Sequence, residues 1–551
     1  MAKKSSTSAL TKEQHLAQDK RYAEGHVYDY VIIGTGSSAL TVGALLANAG
    51  YKICMLEAHD IPGGYCQTFR TGDYHFCAQV HYIWGCGPGG KIYEFLKRIG
   101  LEQDITFELY DKSGYDHMVM PDGKRVKIPY GWDNLIDSVS AAYPDQQEPM
   151  KKFIAVIQKL RAEFHHFPDR KLVWTDYLKA YRYPTIIKYR KATLQDLYNE
   201  VGLSKEAQAV LCANAGDFML PPERLSLFSY LGLFGGYNTG AYYPTKHFKY
   251  YVARLAQFIT DHDGCHIYYE TPVNKVTTEN DQVISVETAN GKIFTGKKYI
   301  CNGDPQTMSK LIGWDKFPAQ EQKKLSYEYS PAGVVIYLGL DDQIDLRNHG
   351  FGSFNIWHLE QWDMNKMWKE MGEVNFTAPW IFMSTPTLHT KEGGTTPSAK
   401  QQILEIAAYT EYQPFKEAQK RSYAEYAKLK MRIADRMMQI VEEKYIPGLS
   451  KHVVVKTIGT STTNEDFVLS PFGNAYGSNM TTAQVSGQRL KATTPFNNFF
   501  WCNASSGWAG MYGTVATGMS LYMDLTGDRF YQNDRSPTDE EAVKAILNSE
   551  C

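Results

Sequence analysis

Residues 28–50 read "YDYVIIGTGSSALTVGALLANAG", and the fold turns on this stretch. Tyr28 to Ile33 is a short apolar run of strand-forming residues, Gly34 and Gly36 follow at once, and Leu40, Val42, Leu45 and Leu46 then recur at helical spacing. Strand, tight turn and helix in that order form a dinucleotide-binding pattern, here Gly34-x-Gly36-x-x-Ala39. Gly34 permits the turn, Gly36 lets backbone approach a pyrophosphate, and Ala39 is small enough for the helix to lie against its strand. The helix N-terminus then faces the phosphates. A second apolar run, "YKICMLEAH" at 51–59, closes the unit. It ends in Glu57 and Ala58, about 20 residues past the glycines, where a ribose-binding acid is expected.

A more literal match, Gly85-x-Gly87-x-x-Gly90, lies in "YIWGCGPGGKIYEFL" at 82–96. Its context is wrong. "VHYIWG" is a weak strand, Pro88 stiffens the loop, and no acid closes a βαβ unit behind it. The spacing predicts a loop feeding the helix "KIYEFLKRIG". Just past Glu57, "AHDIPGGYCQTF" carries the doublet Gly63-Gly64. A second glycine pair lets another loop come close to the pyrophosphate, as an extended flavin dinucleotide requires. The expected cofactor is therefore FAD rather than NAD.

Composition bounds the rest. A chain of 551 residues is too long for one simple core. Its 58 Lys and Arg nearly balance 60 Asp and Glu, so charge gives no reason to invoke nucleic acid. Tyr outnumbers Phe, 38 to 25, which suits cavity walls that are apolar yet need an occasional hydroxyl, or ordinary tyrosine-rich packing. Nine cysteines show neither a CxxC pair nor zinc-type spacing, which points to a reduced compartment and no metal site. The polar residues 1–27 read as a solvated tail without the apolar core of a signal peptide. No run reaches about 18 apolar residues, so no transmembrane helix is expected and the location reads as cytoplasmic. Zinc-protease, P-loop and nucleophile-elbow motifs are absent.

The stretch "LEAHDIPGGYCQTFRTGDYHFCAQVHYI" at 56–83 resembles the phytoene desaturase, carotenoid isomerase and retinol saturase superfamily of flavoproteins, the retinol saturase branch above all. Later segments agree: "GAYYPTKHFKYYVARLAQFI" (240–259), the span 268–305 ending in Asp304-Pro305, "TSTTNEDFVLSPFGNAYG" (460–477) and "TTPFNNFFWCNASSGWAGMYGTVATGM" (493–519). The resemblance implies an α/β fold: a Rossmann-like FAD-binding domain of the glutathione reductase type with an interleaved α+β substrate domain. The first would combine 28–110, 242–312 and 476–525, the second 111–241 and 313–475, with tails at 1–27 and 526–551. It further implies that Gly34, Gly36 and Ala39 hold the pyrophosphate and Glu57 the ribose, with Ala58 adjoining. Gly63, Gly64 and Thr68 would continue along the cofactor, Val273 would meet the adenine, and Gly510, Met511 and Thr514 the pyrimidine edge of the flavin.

Two departures stand out. Pro244-Thr245-Lys246-His247 replaces a Pro-x-Gly-Gly, and Asn503, Ala504 and Ser505 replace an acid often found near the last cofactor-facing helix. The activity implied is that of an FAD-dependent oxidoreductase or isomerase acting on C=C bonds of a hydrophobic polyene: a retinoid, a carotenoid or a polyunsaturated fatty acid. Candidate proton groups are His81, Tyr82, Tyr476 and, first among them, the group Tyr243, Lys246 and His247. For each one singly, packing or a backbone hydrogen bond is the competing role. No second βαβ unit for a nicotinamide is evident, which leaves the electron partner open. An amine-oxidase-like enzyme and a lipid-binding protein of the GDP-dissociation-inhibitor type share this cofactor fold and stand as alternatives. Finally, 170–191 interleaves Arg170, Lys171, Lys179, Arg182, Lys188, Arg190 and Lys191 with Trp174, Tyr177, Tyr181, Tyr183, Ile186 and Ile187. That pattern suits either peripheral contact with a bilayer or a solvated helix pair over the substrate domain.

Overall fold

A computed structural model describes residues 12–168, 174–390, 392–530 and 537–548. The opening run forms the strand Val27–Ile33, and its last four residues are all buried. A strand covered on both faces belongs in the middle of a parallel sheet. Accordingly it pairs in parallel with Ile53–Leu56 on one side and Ile293–Cys301 on the other. His266–Tyr268 adds a parallel strand beyond Ile53–Leu56, and Phe499–Trp501 another against Ile293–Cys301. An antiparallel meander, Val273–Glu279 and Gln282–Thr288, completes the seven strands.

The helix after the glycine turn, Ser37–Asn48, is buried from Ser38 to Ala47 because other helices cover it. One of them, Gly510–Thr526, comes so near that a Cβ on Gly518 would sit 2.6 Å from the Ser38 carbonyl oxygen. Glycine at that point lets the two backbones touch.

A second seven-stranded sheet runs in the order Val453–Gly459, Ala332–Leu340, Ile403–Thr410, Trp380–Ser384, Asn355–Leu359, Asp116–Val119 and Arg125–Ile128. All its pairings are antiparallel except that of Asn355–Leu359 with Asp116–Val119. "AGVVIYLGL" and "WIFMS" are thus strands, and every residue of both is buried.

"EAQKRSYAEYAKLKMRIADRMMQIVEEKY", whose periodicity is helical throughout, forms parts of two helices, Tyr412–Arg421 and Tyr423–Lys444. Ser422 is extended, at φ −171° and ψ 160°, and its hydroxyl accepts from the Glu425 N–H, a cap that starts the second helix. "VHYIWG" contributes only an isolated bridge between Ile83 and Tyr242. Behind it, the Gly85 motif folds back on its own helix, Lys91–Arg98: Ile92 N donates to Gly85 O at 3.0 Å. A Cβ on Gly90 would lie 2.4 Å from that same oxygen, and one on Gly87 would lie 2.7 Å from the Tyr242 hydroxyl. Those glycines serve close packing of a loop.

Gly90→Ala therefore forces backbone apart rather than blocking a ligand. The expected result is a loss of about 1–3 kcal/mol in urea unfolding, as for other overpacked sites. Bound flavin per folded molecule, read from its absorbance, should stay unchanged.

Candidate active site

A cavity of about 1230 Å³ begins at the glycine turn and extends toward the second sheet. Gly34, Gly36, Ser37, Glu57, Ala58, Gly63 and Gly64 line its first part. Gly34 has φ +93°, Gly63 +116° and Gly64 +57°, conformations that L side chains resist. The doublet lies directly on the turn: Gly36 and Gly63 bridge, Gly63 N donates to Thr35 O at 3.1 Å, and a Cβ on Gly64 would be 3.4 Å from Gly36 Cα.

Glu57 is held by Thr35 N at 2.9 Å and the Thr35 hydroxyl on one oxygen, and by His59 N at 2.8 Å on the other. Three donors leave a carboxylate acceptor capacity for a ribose hydroxyl. No side chain caps the helix Ser37–Asn48, and none caps Gly510–Thr526. Both N-terminal turns border the cavity, so two sets of backbone N–H groups and two positive helix ends converge there. Such a lining fits an anionic dinucleotide.

Asn302 fastens this arrangement. Its Oδ1 accepts from Gly36 N at 2.8 Å, and its Nδ2 donates to Ser38 Oγ and to Cys502 O, each at 2.8 Å. A Cβ on Gly36 would stand 2.5 Å from Asn302 Oδ1, so the second glycine makes room for this clamp as well as for a ligand. Nearby, the Arg489 guanidinium donates to Ala504 O and Gly507 O and fixes the loop before the final cofactor-facing helix. Burial lowers its pKa to about 10, still far above neutrality.

Beyond these groups the wall turns aromatic. Tyr82 stacks on Tyr237 at 3.9 Å between ring centroids, and Trp84 on Tyr512 at 4.8 Å, with Phe218, Leu233, Met480 and Tyr476 alongside. Three polar groups interrupt it. His81 Nδ1 lies 2.7 Å from Glu405 Oε2, a carboxylate on the second sheet that is only 1% exposed. The Tyr82 hydroxyl is 3.3 Å from Asp217 Oδ2 and 3.3 Å from Asp116 Oδ2. Desolvation pushes the Asp116 pKa up to about 7 and that of Asp217 well above the carboxylate range. Asp217 is half-buried only because it faces the cavity; protein surrounds it, and the deep burial governs its titration.

The Flavin containing amine oxidoreductase family model matches residues 40–520. The chain belongs to that family. It is 24% identical over 495 residues to the chloroplastic prolycopene isomerase of Daucus carota, covering 85% of this chain and 75% of that protein. It is 22% identical over 514 residues to the all-trans-retinol 13,14-reductase of Danio rerio, covering 86% and 81%. Among solved structures, cyclohexylamine oxidase from Brevibacterium oxydans superposes with a TM-score of 0.58 at 12% identity, covering 95% of this chain and all of that one. The chain is an FAD-dependent enzyme of this family, with its Rossmann-like cofactor fold.

Within this amine oxidoreductase fold, Val273, Asn503, Gly510, Met511 and Thr514 join the glycines, Glu57 and Ala58 on the cavity wall. Ala39 is buried in its helix, and Thr68 sits outside the wall, paired with Cys77 in a hairpin. Asn503 does what an acid there could not: Nδ2 donates to Gly303 O at 3.1 Å while Oδ1 accepts from Ser505 and Ser506 N–H groups at 3.0 and 3.1 Å.

His81 and Tyr476 line the cavity. The favoured trio does not. Tyr243 and His247 are wholly buried off the wall, and Lys246 points to an ion pair with Asp104 at 3.6 Å and the face of Tyr250. Burial brings the His247 pKa down to about 3, so it stays neutral at ordinary pH. Sequence reading missed Asn302, Arg489, Asp116 and Asp217. Only Asn302 carried a signal, as the polar residue closing a strand beside the glycine turn.

Gly36→Val should abolish flavin binding, because its side chain displaces both Asn302 and the ligand's approach; flavin absorbance after reconstitution with FAD reads this. A second expectation concerns pH. The folded Asp116 binds its proton up to about 7, against 3.8 ordinarily, so between these values the unfolded chain is the one that loses protons and unfolding becomes easier as pH rises. Asp116→Asn should flatten the decline in Tm across that window.

Proposed function

We propose that this enzyme isomerises or reduces C=C bonds of a hydrophobic polyene of the retinoid, carotenoid or polyunsaturated-lipid class. The carrying observation is the chamber beyond the cofactor cleft, walled by stacked aromatic rings and Met480, whose acid Asp217 is held neutral by its surroundings. The names of the two relatives, a retinol reductase and a prolycopene isomerase, support the same substrate class.

Bound FAD supplies electron-pair and single-electron chemistry. Glu57 and the two helix ends orient it, while Tyr82, Trp84, Tyr237 and Phe218 offer flat apolar surfaces to a conjugated chain and keep water out. Amine oxidation is the second reading, because the cavity contains a carboxyl that could meet an ammonium. Against it, an ionised Asp217 would need its proton removed against both desolvation and the neighbouring Asp116. Anaerobic enzyme reduced with dithionite should convert at least one member of a retinoid, carotenoid and fatty-acid panel, with products separated by chromatography. Amine oxidation without any polyene conversion would overturn the reading.

A substrate of this kind resides in membranes, and the reading extends to peripheral attachment through the helices Trp174–Leu178 and Pro184–Tyr189. Arg170 and Lys171 lie outside the described residues. Trp174 is 71% exposed, Tyr177 68%, Leu178 62% and Tyr181 73%, beside the exposed cations Lys179, Arg182, Arg190 and Lys191. Lys188 is occupied by Glu200 at 2.6 Å. Among the described residues no helix is long and apolar enough to cross a membrane. Rings and cations together suit an anionic lipid surface, where each cation contributes about 1 kcal/mol. Changing Lys179, Arg182, Arg190 and Lys191 to Glu should release the protein from phosphatidylserine vesicles in a sedimentation assay. Wild-type protein that fails to sediment at low salt would favour a solvated helix pair over the substrate domain.

A further inference from the structure

We propose that Asp217, coupled through the Tyr82 hydroxyl to Asp116, is the acid that gives a proton to the substrate's conjugated carbon and can take it back. The inference rests on the polyene reading for its substrate.

Hydrogen counting supports it. The Tyr82 hydroxyl carries one proton, yet carboxyl oxygens of Asp116 and Asp217 both lie 3.3 Å away. It can donate to only one, so the other contact is a hydrogen bond only when that carboxyl is itself protonated and donates to the phenol oxygen. The surroundings favour this state. Asp116 is fully buried on the strand Asp116–Val119, opposite Asn355 in the sheet register. Burial outweighs the nearby N–H groups of Trp357, Asn355 and Asn214, which favour the carboxylate, and Asp116 Oδ1 makes no hydrogen bond among the described residues. Tyr115, Tyr110, Tyr130, Tyr237 and Tyr476 also face the pair, and none of these is cationic. Two carboxylates without a cation repel, and Asp116 adds to the desolvation that raises the Asp217 pKa.

The three groups also differ in reach. Asp217 and Tyr82 line the cavity, whereas Asp116 stands behind them and does not. That order suits a donor, a bridge and a reserve. In the step itself the Asp217 O–H bond breaks, its electron pair stays on the carboxylate, and the π pair of the substrate forms the new C–H bond. The positive charge then spreads along the conjugated chain. Loss of a proton from that carbon back to the Asp217 carboxylate restores the double bond after rotation, with no net change in electrons. Net saturation instead consumes an electron pair and a second hydrogen from a reductant of the dihydroflavin class. Isomerisation returns the proton to Asp217 and needs no relay; after saturation Tyr82 passes its proton to Asp217 as Asp116 gives its own to Tyr82, and water admitted on product release returns a proton to the set.

Asp217→Asn keeps shape and the Tyr82 contact while removing the acid. In the FAD-loaded variant, product formation should fall at least about 10²-fold, the lower end of general acid catalysis. Deuterium from D2O should enter the wild-type product and not the variant's. Flavin content and reduction by dithionite should be unchanged, and Asp217→Glu should restore deuterium uptake. Independently of turnover, infrared difference spectra of the wild-type holoenzyme at neutral pH should contain a D2O-sensitive protonated-carboxyl stretch that Asp217→Asn removes. Undiminished turnover with deuterium uptake in Asp217→Asn would overturn the proposal, as would wild-type spectra without that stretch. Should wild-type enzyme convert no polyene while the stretch is present and assigned to Asp217, the substrate reading fails and Asp217 remains a neutral cavity acid.

Discussion

The side chain of Asn302 joins parts of the chain that lie hundreds of residues apart. It accepts from Gly36 and donates to Ser38 and to the Cys502 carbonyl, so three strand ends meet on one amide. Only an amide can accept and donate in this way; an aspartate would lose both donated bonds and a leucine all three. The consequence reaches across the cofactor site. The turn of the first helix, the strand Ile293–Cys301 and the segment leading to Gly510–Thr526 cannot move separately while the clamp holds. Gly518 completes the constraint by letting the two cofactor-facing helices touch at Ser38. Both positive helix ends are thereby fixed on one cavity before any ligand arrives, which lowers the ordering cost of binding.

A similar economy of neutral polar groups marks the substrate end, with the opposite effect on stability. Asp116 and Asp217 lie where ionisation is expensive, and the protein retains both beside Tyr82. A buried carboxyl without a cation adds nothing to folding that a leucine would not supply better. Its presence makes sense at a site that needs a proton in apolar surroundings. The His81–Glu405 pair follows another logic, since a carboxylate 1% exposed is matched by an imidazole on the cavity wall.

How much of this was legible beforehand differs by element. The strand, turn and helix at 28–50 depend on short-range periodicity and on glycine's conformational freedom, both written locally, and Glu57 follows at a set distance. The Gly85 motif shows the limit of pattern alone: its glycines satisfy Tyr242 and the loop's own carbonyl, which lie close only after folding. The break at Ser422 was readable as Ser-x-x-Glu, but continuous helical periodicity on both sides masked it. Asp116 and Asp217 could not be paired from sequence, because a hundred residues separate them and the bridge comes from a third segment. Tyr243, Lys246 and His247 drew notice as titratable neighbours, yet the strand Tyr242–Pro244 turns them into core and surface.

His247 shows how a departure from a family pattern can be absorbed rather than used. Where the resemblance has glycine, this histidine adopts φ +66°, a conformation that costs a branched or bulky residue about 1–2 kcal/mol. Its Nδ1 accepts from Lys249 N at 3.1 Å, capping the first turn of His247–Thr260, and its ring packs against Tyr243 and Phe248. The backbone thus keeps the glycine-like path while the side chain fills space and satisfies one orphan N–H. Because burial holds the imidazole neutral, it brings no charge to the core between the two sheets. The substitution alters how the helix begins, and the proton chemistry is left to the groups that border the cavity.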